Sequence, residues 1–251
     1  MKSKFFILCL LILGFFKLPA FAQSVYPVTS GEIIFTQNNT SFNSAFLGQY
    51  PGASVNSSNV RFTAFFQLGQ YWHCDMNDKF GLYSGLAIRN IGMITDEVLP
   101  QTVSDNSSSV IYKNYKLIRR QYTLGVPLAL KLGSFDKNFY IFGGGEYEMA
   151  FHMKEKYWSD TMDRAGSKTK TTTWFSSQTP TFLPSVFVGV QLPKGINLKF
   201  KYYLTDFLNS DYKLAQNSQA GSTFNVSDLT RYKESQIIYF SLCWQFRTLD
   251  M

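Results

Sequence analysis

The chain has 251 residues, of which 45% are hydrophobic, 17% aromatic and 16% charged, and its formal net charge is +7. Three lysines, Lys2, Lys4 and Lys17, fall in an N-terminal leader; without them 21 basic residues remain against 17 acidic ones, a net charge of +4. So small an excess does not indicate a nucleic-acid partner. The mean hydropathy of −0.10 is near neutral, as expected where apolar and polar residues alternate.

Residues 1–22 have the features of a secretory signal peptide. Lys2 and Lys4 precede an apolar run, and Ala20-Phe21-Ala22 places small residues at the two positions that flank a cleavage site. We predict cleavage after Ala22 and a single domain at 23–251. A retained membrane anchor is the alternative, but Lys17 interrupts the run. No later stretch is apolar for long enough to span as a helix, so membrane insertion after export requires a barrel.

The clearest periodicity lies in residues 119–154. From Tyr122 to Leu132 every second residue is large and apolar, and after turn residues at 134–138 the alternation resumes at Phe139. A period of two indicates strands with one apolar face. Both strands are about twice the common length of 5–6 residues, long enough to cross a bilayer when tilted. The pattern predicts a transmembrane hairpin with an apolar exterior and a polar interior.

The same periodicity predicts eight strands in all. They cover residues 31–37, 60–73, 79–89, 119–132, 139–154, 182–192, 196–204 and 238–247. Long polar loops (38–59, 94–115, 155–178, 209–235) alternate with short turns (74–78, 134–138, 193–195). At Arg89 to Ile91 the alternation slips by one residue, which predicts a bulge.

These features together predict an all-β fold, an eight-stranded antiparallel up-and-down transmembrane β-barrel. An even strand number with long loops at one end and short turns at the other is the outer-membrane pattern. We therefore expect a multi-pass protein of the cell outer membrane, with extracellular loops and both termini in the periplasm.

Five aromatic residues on the predicted outer face lie beside the short turns or the C-terminus. These are Trp72, Phe80, Phe139, Trp244 and Phe246. Aromatic side chains collect at lipid interfaces, so we predict a periplasmic aromatic girdle. The competing interpretation is a soluble, secreted lipocalin-like barrel, in which the large residues would face inward around a ligand cavity.

The predicted inner face carries most of the charge. Its ionisable residues are Arg61, Lys79, Arg89, Lys131, Glu146, Glu148, His152, Lys154, Lys199, Lys201 and Arg247. The interior of an eight-stranded barrel is about wide enough for its own side chains, so these groups must pair with one another. We predict a structural polar network with Glu146 and Glu148 as its hubs and no open pore.

Signals for chemistry are weak. His152 with Asp160 or Asp163 is the one candidate set for a hydrolase at the outer rim, and no nucleophile accompanies it. We expect a non-enzyme with no catalytic residue, metal site or cofactor. Cys74 and Cys243, the two cysteines of the mature chain, lack the spacing of a disulfide framework and are expected to stay reduced.

Several stretches resemble the outer-membrane β-barrel proteins of Bacteroidota, the PorT-like group. They are GEIIF (31–35), RFTAFFQL (61–68), GLAIRNIG (85–92), YTLGVPLALKLG (122–133), GGGEYEMAFHMKEK (143–156), PSVFVGVQLPKG (184–195) and LKFKYYLTDFLN (198–209). The resemblance is one of pattern over almost the whole mature chain. It implies the fold and the membrane location, and it carries over no active-site residue.

Two roles follow as hypotheses. The first is a monomeric, non-enzymatic scaffold whose partners are outer-membrane lipid, lipopolysaccharide, surface glycans or surface proteins. The second, implied by the resemblance, is an assembly factor for a protein secretion system that works through its periplasmic turns and termini.

Overall fold

The computed structural model describes residues 24–102, 110–159, 164, 167–213 and 226–247. The predicted signal peptide lies outside these residues. Within them, no helix is long and apolar enough to cross a membrane.

The described residues form eleven strands, one short α-helix and one 3-10 turn. The strands are β1 (Ser24–Phe42), β2 (Ser54–Asn56), β3 (Arg61–Thr63), β4 (Leu68–Asp75), β5 (Phe80–Thr102), β6 (Val110–Ser134), β7 (Phe139–Ser159), β8 (Lys168–Trp174), β9 (Phe182–Gln191), β10 (Ile196–Tyr203) and β11 (Tyr232–Arg247). The helix α1 covers Ser44–Gln49, and the 3-10 turn covers Pro193–Gly195.

Eight of these strands close into an antiparallel up-and-down ring in the order β1-β4-β5-β6-β7-β9-β10-β11. β11 returns to pair with β1 from Val28↔Arg247 to Phe42↔Tyr232, so the sheet has no free edge at this junction. β3 lies above β4 against β1, β2 pairs with β5, and β8 pairs with β7. The predicted fold class is confirmed.

Short turns join the strands at one end of the barrel, here called the turn end. Between β4 and β5 the Asn77 side chain accepts from the backbone N–H groups of Lys79 and Phe80, at 2.9 and 2.8 Å. This side-chain acceptor stabilises a tight reversal. The other two turns contain Asn138 and Lys194 at positive φ, and asparagine tolerates that conformation well. The opposite end, with the longer connections, is here called the loop end.

Strand extends into much of what the sequence pattern assigned to loops. β1 continues to Phe42, β5 to Thr102 and β7 to Ser159, while β6 begins at Val110. The reason is that the interior continues toward the loop end: Ile91, Met93 and Leu99 of β5 are fully buried there. Polar residues on the outer face of these extensions gave them the composition of loops.

The second position of the ring is broken, where the sequence predicts one continuous strand at 60–73. Phe66 has φ = 60°, and both it and Phe65 are exposed. Between the pairs Leu68↔Ile88 and Asn56↔Asp96, β5 has no strand partner on this side in the described residues. Instead, the side chain of Gln67 accepts from the backbone N–H of Asn90 (3.1 Å) and donates to its C=O (2.9 Å). A side chain thus replaces the missing ladder bonds.

In the described residues the ring has register shifts in β7 and at Lys233 of β11, and none at Arg89 to Ile91. Tyr122 pairs with His152 and Thr123 with Ala150, so Phe151 is an extra residue. A bulge of one residue inverts the facing of all that follows. Glu148 and Ala150 face inward before it, and Met153 and Glu155 face inward after it. In β5 the alternation runs through Arg89 without a register shift.

Polarity is inverted relative to a soluble barrel. The exterior of the ring between the turn end and the bulge carries exposed apolar side chains, including Val126, Leu128, Leu130, Ile141, Val186, Val188, Phe200 and Phe240. The interior at the same level holds Arg89, Glu146, Glu148 and Lys201, each at most 4% exposed. We refer to the outer surface as the apolar belt.

At Gly144 the neighbouring strand approaches so closely that there is no room for a side chain. A Cβ at this position would overlap the carbonyl oxygen of Leu128 on the neighbouring strand, whereas a Cβ at Gly31 meets nothing within 4 Å. Gly144→Ala is expected to lower the free energy of unfolding by about 1–3 kcal/mol because backbone must move. The matched control Gly31→Ala should leave it unchanged or slightly raised. Urea unfolding followed by tryptophan fluorescence measures both, and equal values would contradict this packing.

Candidate functional site

The interior charges form three layers, and the middle layer is the most connected. Glu32, Glu146 and Glu148 meet Arg89, Lys199 and Lys201. Arg89 pairs with Glu32 at 3.1 Å, with Glu148 at 3.6 Å and closely with Glu146. Lys201 bridges Glu146 (2.8 Å) and Glu148, and Lys199 reaches Glu32 at 2.6 Å. Three carboxylates therefore oppose three cations.

Hydroxyl groups complete this middle layer. Tyr203 and Thr123 donate to Glu148 at 3.0 and 2.5 Å, and Ser241 donates to Glu32 at 2.5 Å. Charge-assisted bonds of this kind offset the loss of hydration that burial imposes on a carboxylate.

The other two layers balance in the same way. Toward the loop end, Arg231 pairs with Glu97 at 2.9 Å and Arg119 pairs with Glu155 at 2.7 Å. Arg119 also lies 3.7 Å from Glu97 and donates to the Tyr232 hydroxyl at 2.7 Å. Toward the turn end, Lys131 pairs with Asp75 and contacts His73 Nδ1 at 3.1 Å.

The balanced layers fill the barrel. Arg89, Arg119, Lys131, Lys201 and Arg231 are at most 2% exposed. An interior in which long cationic side chains are this inaccessible offers no continuous water path. In the described residues, ion-paired side chains therefore occupy the interior at all three levels, an arrangement here called the plug.

The structure places some members of the predicted inner set elsewhere. Lys79 lies exposed in the turn before β5. His152 and Lys154 lie on the outer face because the bulge at Phe151 inverts the alternation. Arg61 is buried, but its guanidinium donates to the Asn90 backbone C=O (3.2 Å) and side chain (2.7 Å) at the break in the wall.

The remaining predicted positions divide between the interior and the outer surface. Lys131, Glu146, Glu148, Lys199 and Lys201 lie in the interior network with Arg89, and the side chain of Arg247 is outside the described residues. Trp72, Phe139, Trp244 and Phe246 are on the outer face near the turn end, while Phe80 there is half-buried.

Sequence reasoning missed six members of the interior network: Glu32, Asp75, Glu97, Arg119, Glu155 and Arg231. Glu97 could have been found by following the alternation of Ile91 and Met93 past the predicted strand end. Arg231 sits in a stretch without periodicity, so no local signal marks it.

In the described residues, the candidate hydrolase set at the outer rim does not form a catalytic arrangement. The His152 ring packs against Tyr122 (5.3 Å between centroids) and Trp174 (4.6 Å), and its buried Nδ1 has no hydrogen-bond partner. Asp160 and Asp163 lie outside the described residues. No group of three or more His, Cys, Asp or Glu side chains suited to a metal occurs in the part of the chain that the structure describes. Cys74 and Cys243 are not bonded to each other.

A second set of cations lies on the outer surface at the loop end. It comprises Arg120, Lys154, Lys156, Lys168 and Lys170, here called the cationic face. Strand pairing arranges it in rows: Arg120 beside Lys154, Lys156 beside Lys170, and Lys168 beside Trp158. The rows follow one another at two-residue steps, about 6.6 Å apart.

Four aromatic side chains border the cationic face on the side of the apolar belt; Phe66 and Trp174 are exposed, and Tyr122 and Phe151 are half-buried. Phe66, Tyr122, Phe151 and Trp174, here called the aromatic rim, contact one another with ring centroids 5.9–6.4 Å apart. Beside them lies an open groove of about 580 Å³ over the break in the wall, lined by Phe62, Phe66, Ile94, Ile118, Arg61 and Arg120.

No family model matches the chain, and no curated protein matches it. Among solved structures it is similar to Neisserial surface protein A, with 10% identity and a TM-score of 0.40, over 90% of this chain and 100% of that one. It is also similar to Ail of Yersinia pestis in complex with the heparin analogue sucrose octasulfate, with 8% identity and a TM-score of 0.35, over 88% of this chain and 99% of that one. A third similar structure is the outer membrane protein OprG of Pseudomonas aeruginosa, with 11% identity and a TM-score of 0.33, over 90% of this chain and 98% of that one. The PorT-like resemblance is not supported by these comparisons.

Breaking one layer of the plug should destabilise the barrel. Arg89→Gln leaves Glu32, Glu146 and Glu148 with two cations, and an uncompensated buried charge costs about 3–5 kcal/mol. The control Lys79→Gln removes one exposed charge and should change the free energy of unfolding by less than about 0.5 kcal/mol. Urea unfolding in lipid vesicles compares the two. If Arg89→Gln is as mild as the control, the middle layer is not the stabilising plug described here.

The filled interior also predicts that the protein does not conduct ions. In planar-bilayer recordings, purified protein should give no discrete conductance steps, because the buried cations leave no continuous water path. A general porin measured in the same bilayers is the positive control. Reproducible steps from the wild-type chain would show that the interior opens.

Proposed function

We propose that the chain is an integral outer-membrane β-barrel protein with a sealed interior, and that it acts through the surfaces at its loop end. The role is structural or one of surface interaction, without catalysis. The observation that carries this proposal is the inverted polarity of the ring.

The inversion is difficult to reconcile with a soluble barrel. Leu128, Leu130 and Val188 are about half exposed or more on a continuous outer surface, while Arg89 and Lys201 are buried. In water, a continuous apolar surface around the ring would drive association between molecules. In a bilayer the same surface faces hydrocarbon, and the closed ring satisfies its own backbone hydrogen bonds.

The proposed orientation has both termini and the turn end in the periplasm and the loop end outside the cell. Short periplasmic turns and long outer connections are usual in such barrels. The exposed Trp72, Phe139 and Phe246 then form the periplasmic girdle, since aromatic rings favour the lipid interface.

The sealed interior supports a role on the surface and not in transport or hydrolysis. The layers of the plug occupy the space that a substrate would need, and His152 is packed between aromatic rings. No observation favours the secretion-assembly role, so it is not proposed.

Membrane embedding is tested with charges placed on the apolar belt. Leu128→Arg should lower stability in the bilayer by about 2–4 kcal/mol and reduce the protein recovered in the outer-membrane fraction, because a cation would face hydrocarbon. The control Ser54→Arg adds the same charge to an exposed position of β2 at the loop end and should leave both unchanged. A soluble wild-type chain, or an L128R variant that behaves like wild type, would contradict the proposal.

Orientation is tested by thiol labelling of intact cells. In a Cys74→Ser background, Gly48→Cys on α1 should react with a membrane-impermeant maleimide, and Lys137→Cys at the turn end should react only after the cells are opened. Both positions are exposed in the structure. The reverse pattern would place the loop end in the periplasm.

A further inference from the structure

The cationic face carries charge that no carboxylate of the described residues neutralises. The six buried Lys and Arg residues of the interior layers, Arg119 among them, all pair with carboxylates. On the outer surface, Lys116 pairs with Asp96 at 2.6 Å. By contrast, none of the five residues of the cationic face forms an ion pair with a carboxylate of the described residues.

Holding these cations together is unfavourable in the free protein. Lys156 and Lys170 are directly opposite on β7 and β8, and like charges in that relation destabilise a sheet. Partial burial and the charges of Lys170 and Arg120 lower the pKa of Lys154. Arg120 also has a buried Nε without a hydrogen-bond partner. An anion at this surface would relieve both the repulsion and the unmet donor.

The position of the face indicates what kind of anion it meets. Arg120 lies two residues from Tyr122 of the aromatic rim on the same side of the sheet, and Lys154 lies two residues from His152, which pairs with Tyr122 and with Trp174. If the rim lies at the lipid interface, the first row of cations is about 6.6 Å farther out, at the level of lipid headgroups.

The groove over the break in the wall adds an apolar component. Arg120 lines this groove as well as the first row of cations, so the two features are continuous. Its other walls include Phe62, Phe66 and Ile118. One amphiphilic molecule can therefore place charged groups on the cationic face and a hydrocarbon chain in the groove.

We propose that the cationic face and the adjoining groove form a binding site for an anionic phosphorylated lipid of the outer leaflet. Phosphate groups lie between Arg120, Lys154, Lys156 and Lys170, and one acyl chain lies along Phe62 and Phe66. The site rests on the membrane embedding proposed above and names the lipid partner of the loop end. A soluble polyanion would use the cations but would gain nothing from the groove and the rim.

The test uses the mature chain in phosphatidylcholine nanodiscs and native mass spectrometry. The probes are a bis-phosphorylated, acylated glucosamine disaccharide, its dephosphorylated form, and inositol hexakisphosphate as a soluble polyanion. The variant combines Lys154→Gln, Lys156→Gln and Lys170→Gln. Its matched control combines Lys79→Gln, Lys137→Gln and Lys194→Gln, which removes three exposed charges at the turn end.

The phosphorylated glycolipid should bind wild type and control equally and the triple variant about 100-fold more weakly, since each cation near an anionic headgroup contributes roughly a factor of five. The dephosphorylated form should bind all three weakly. Equal binding of the glycolipid to wild type and triple variant, in protein that has entered the nanodiscs, overturns the site and leaves the membrane proposal intact.

Two further outcomes have distinct meanings. If inositol hexakisphosphate binds the wild-type chain as tightly as the glycolipid does, the occupant is a soluble polyanion and the lipid assignment is wrong. If the wild-type chain fails to enter nanodiscs at all, the proposed function fails, and the site fails with it. Unfolding midpoints of wild type, variant and control must agree, which separates lost binding from lost folding.

Discussion

The structure depends on one electrostatic constraint, which is that charges enclosed in a narrow barrel must be neutralised locally. The ring of eight strands leaves an interior that side chains fill, so a buried Lys or Arg cannot recruit bulk water. The molecule meets this constraint at each level separately. Asp75 pairs with Lys131, and Glu97 and Glu155 pair with Arg231 and Arg119. In the middle layer three carboxylates pair with three cations. Neutrality layer by layer explains how so polar an interior can be so inaccessible.

On the outer surface, by contrast, cations cluster without carboxylate partners among the described residues. One residue, Phe151, determines which side chains of β7 lie inside and which lie outside. The bulge at Phe151 turns His152, Lys154 and Lys156 outward. Without it, Lys154 and Lys156 would enter the upper interior and Glu155 would leave it, so Arg119 would lose the carboxylate that it pairs with. The same bulge brings Phe151 against Trp174, so it creates the aromatic rim and the cationic face together. Interior balance and exterior excess are therefore two results of one local irregularity.

Most of the ring could be predicted from the sequence because alternation is a property of each strand alone. The facing of Leu128, Arg89 and Glu146 follows directly from a period of two. The sequence could not reveal the bulge, since Phe151 and His152 are both acceptable on either face. It could not reveal the partners of Glu32 and Arg231 either, because these pairings join strands far apart in the chain. The sequence pattern assigns the strand extensions toward the loop end to loops because their outer faces are polar.

The break between β3 and β4 has a consequence for how the barrel can vary. Over most of the ring the strands are joined by main-chain hydrogen bonds, which any residue except proline can make. At Asn90 the joint is made by Gln67 and Arg61, whose side chains alone provide the bonds. The closure of the wall at this one seam is thus encoded in residue identity and not in backbone geometry.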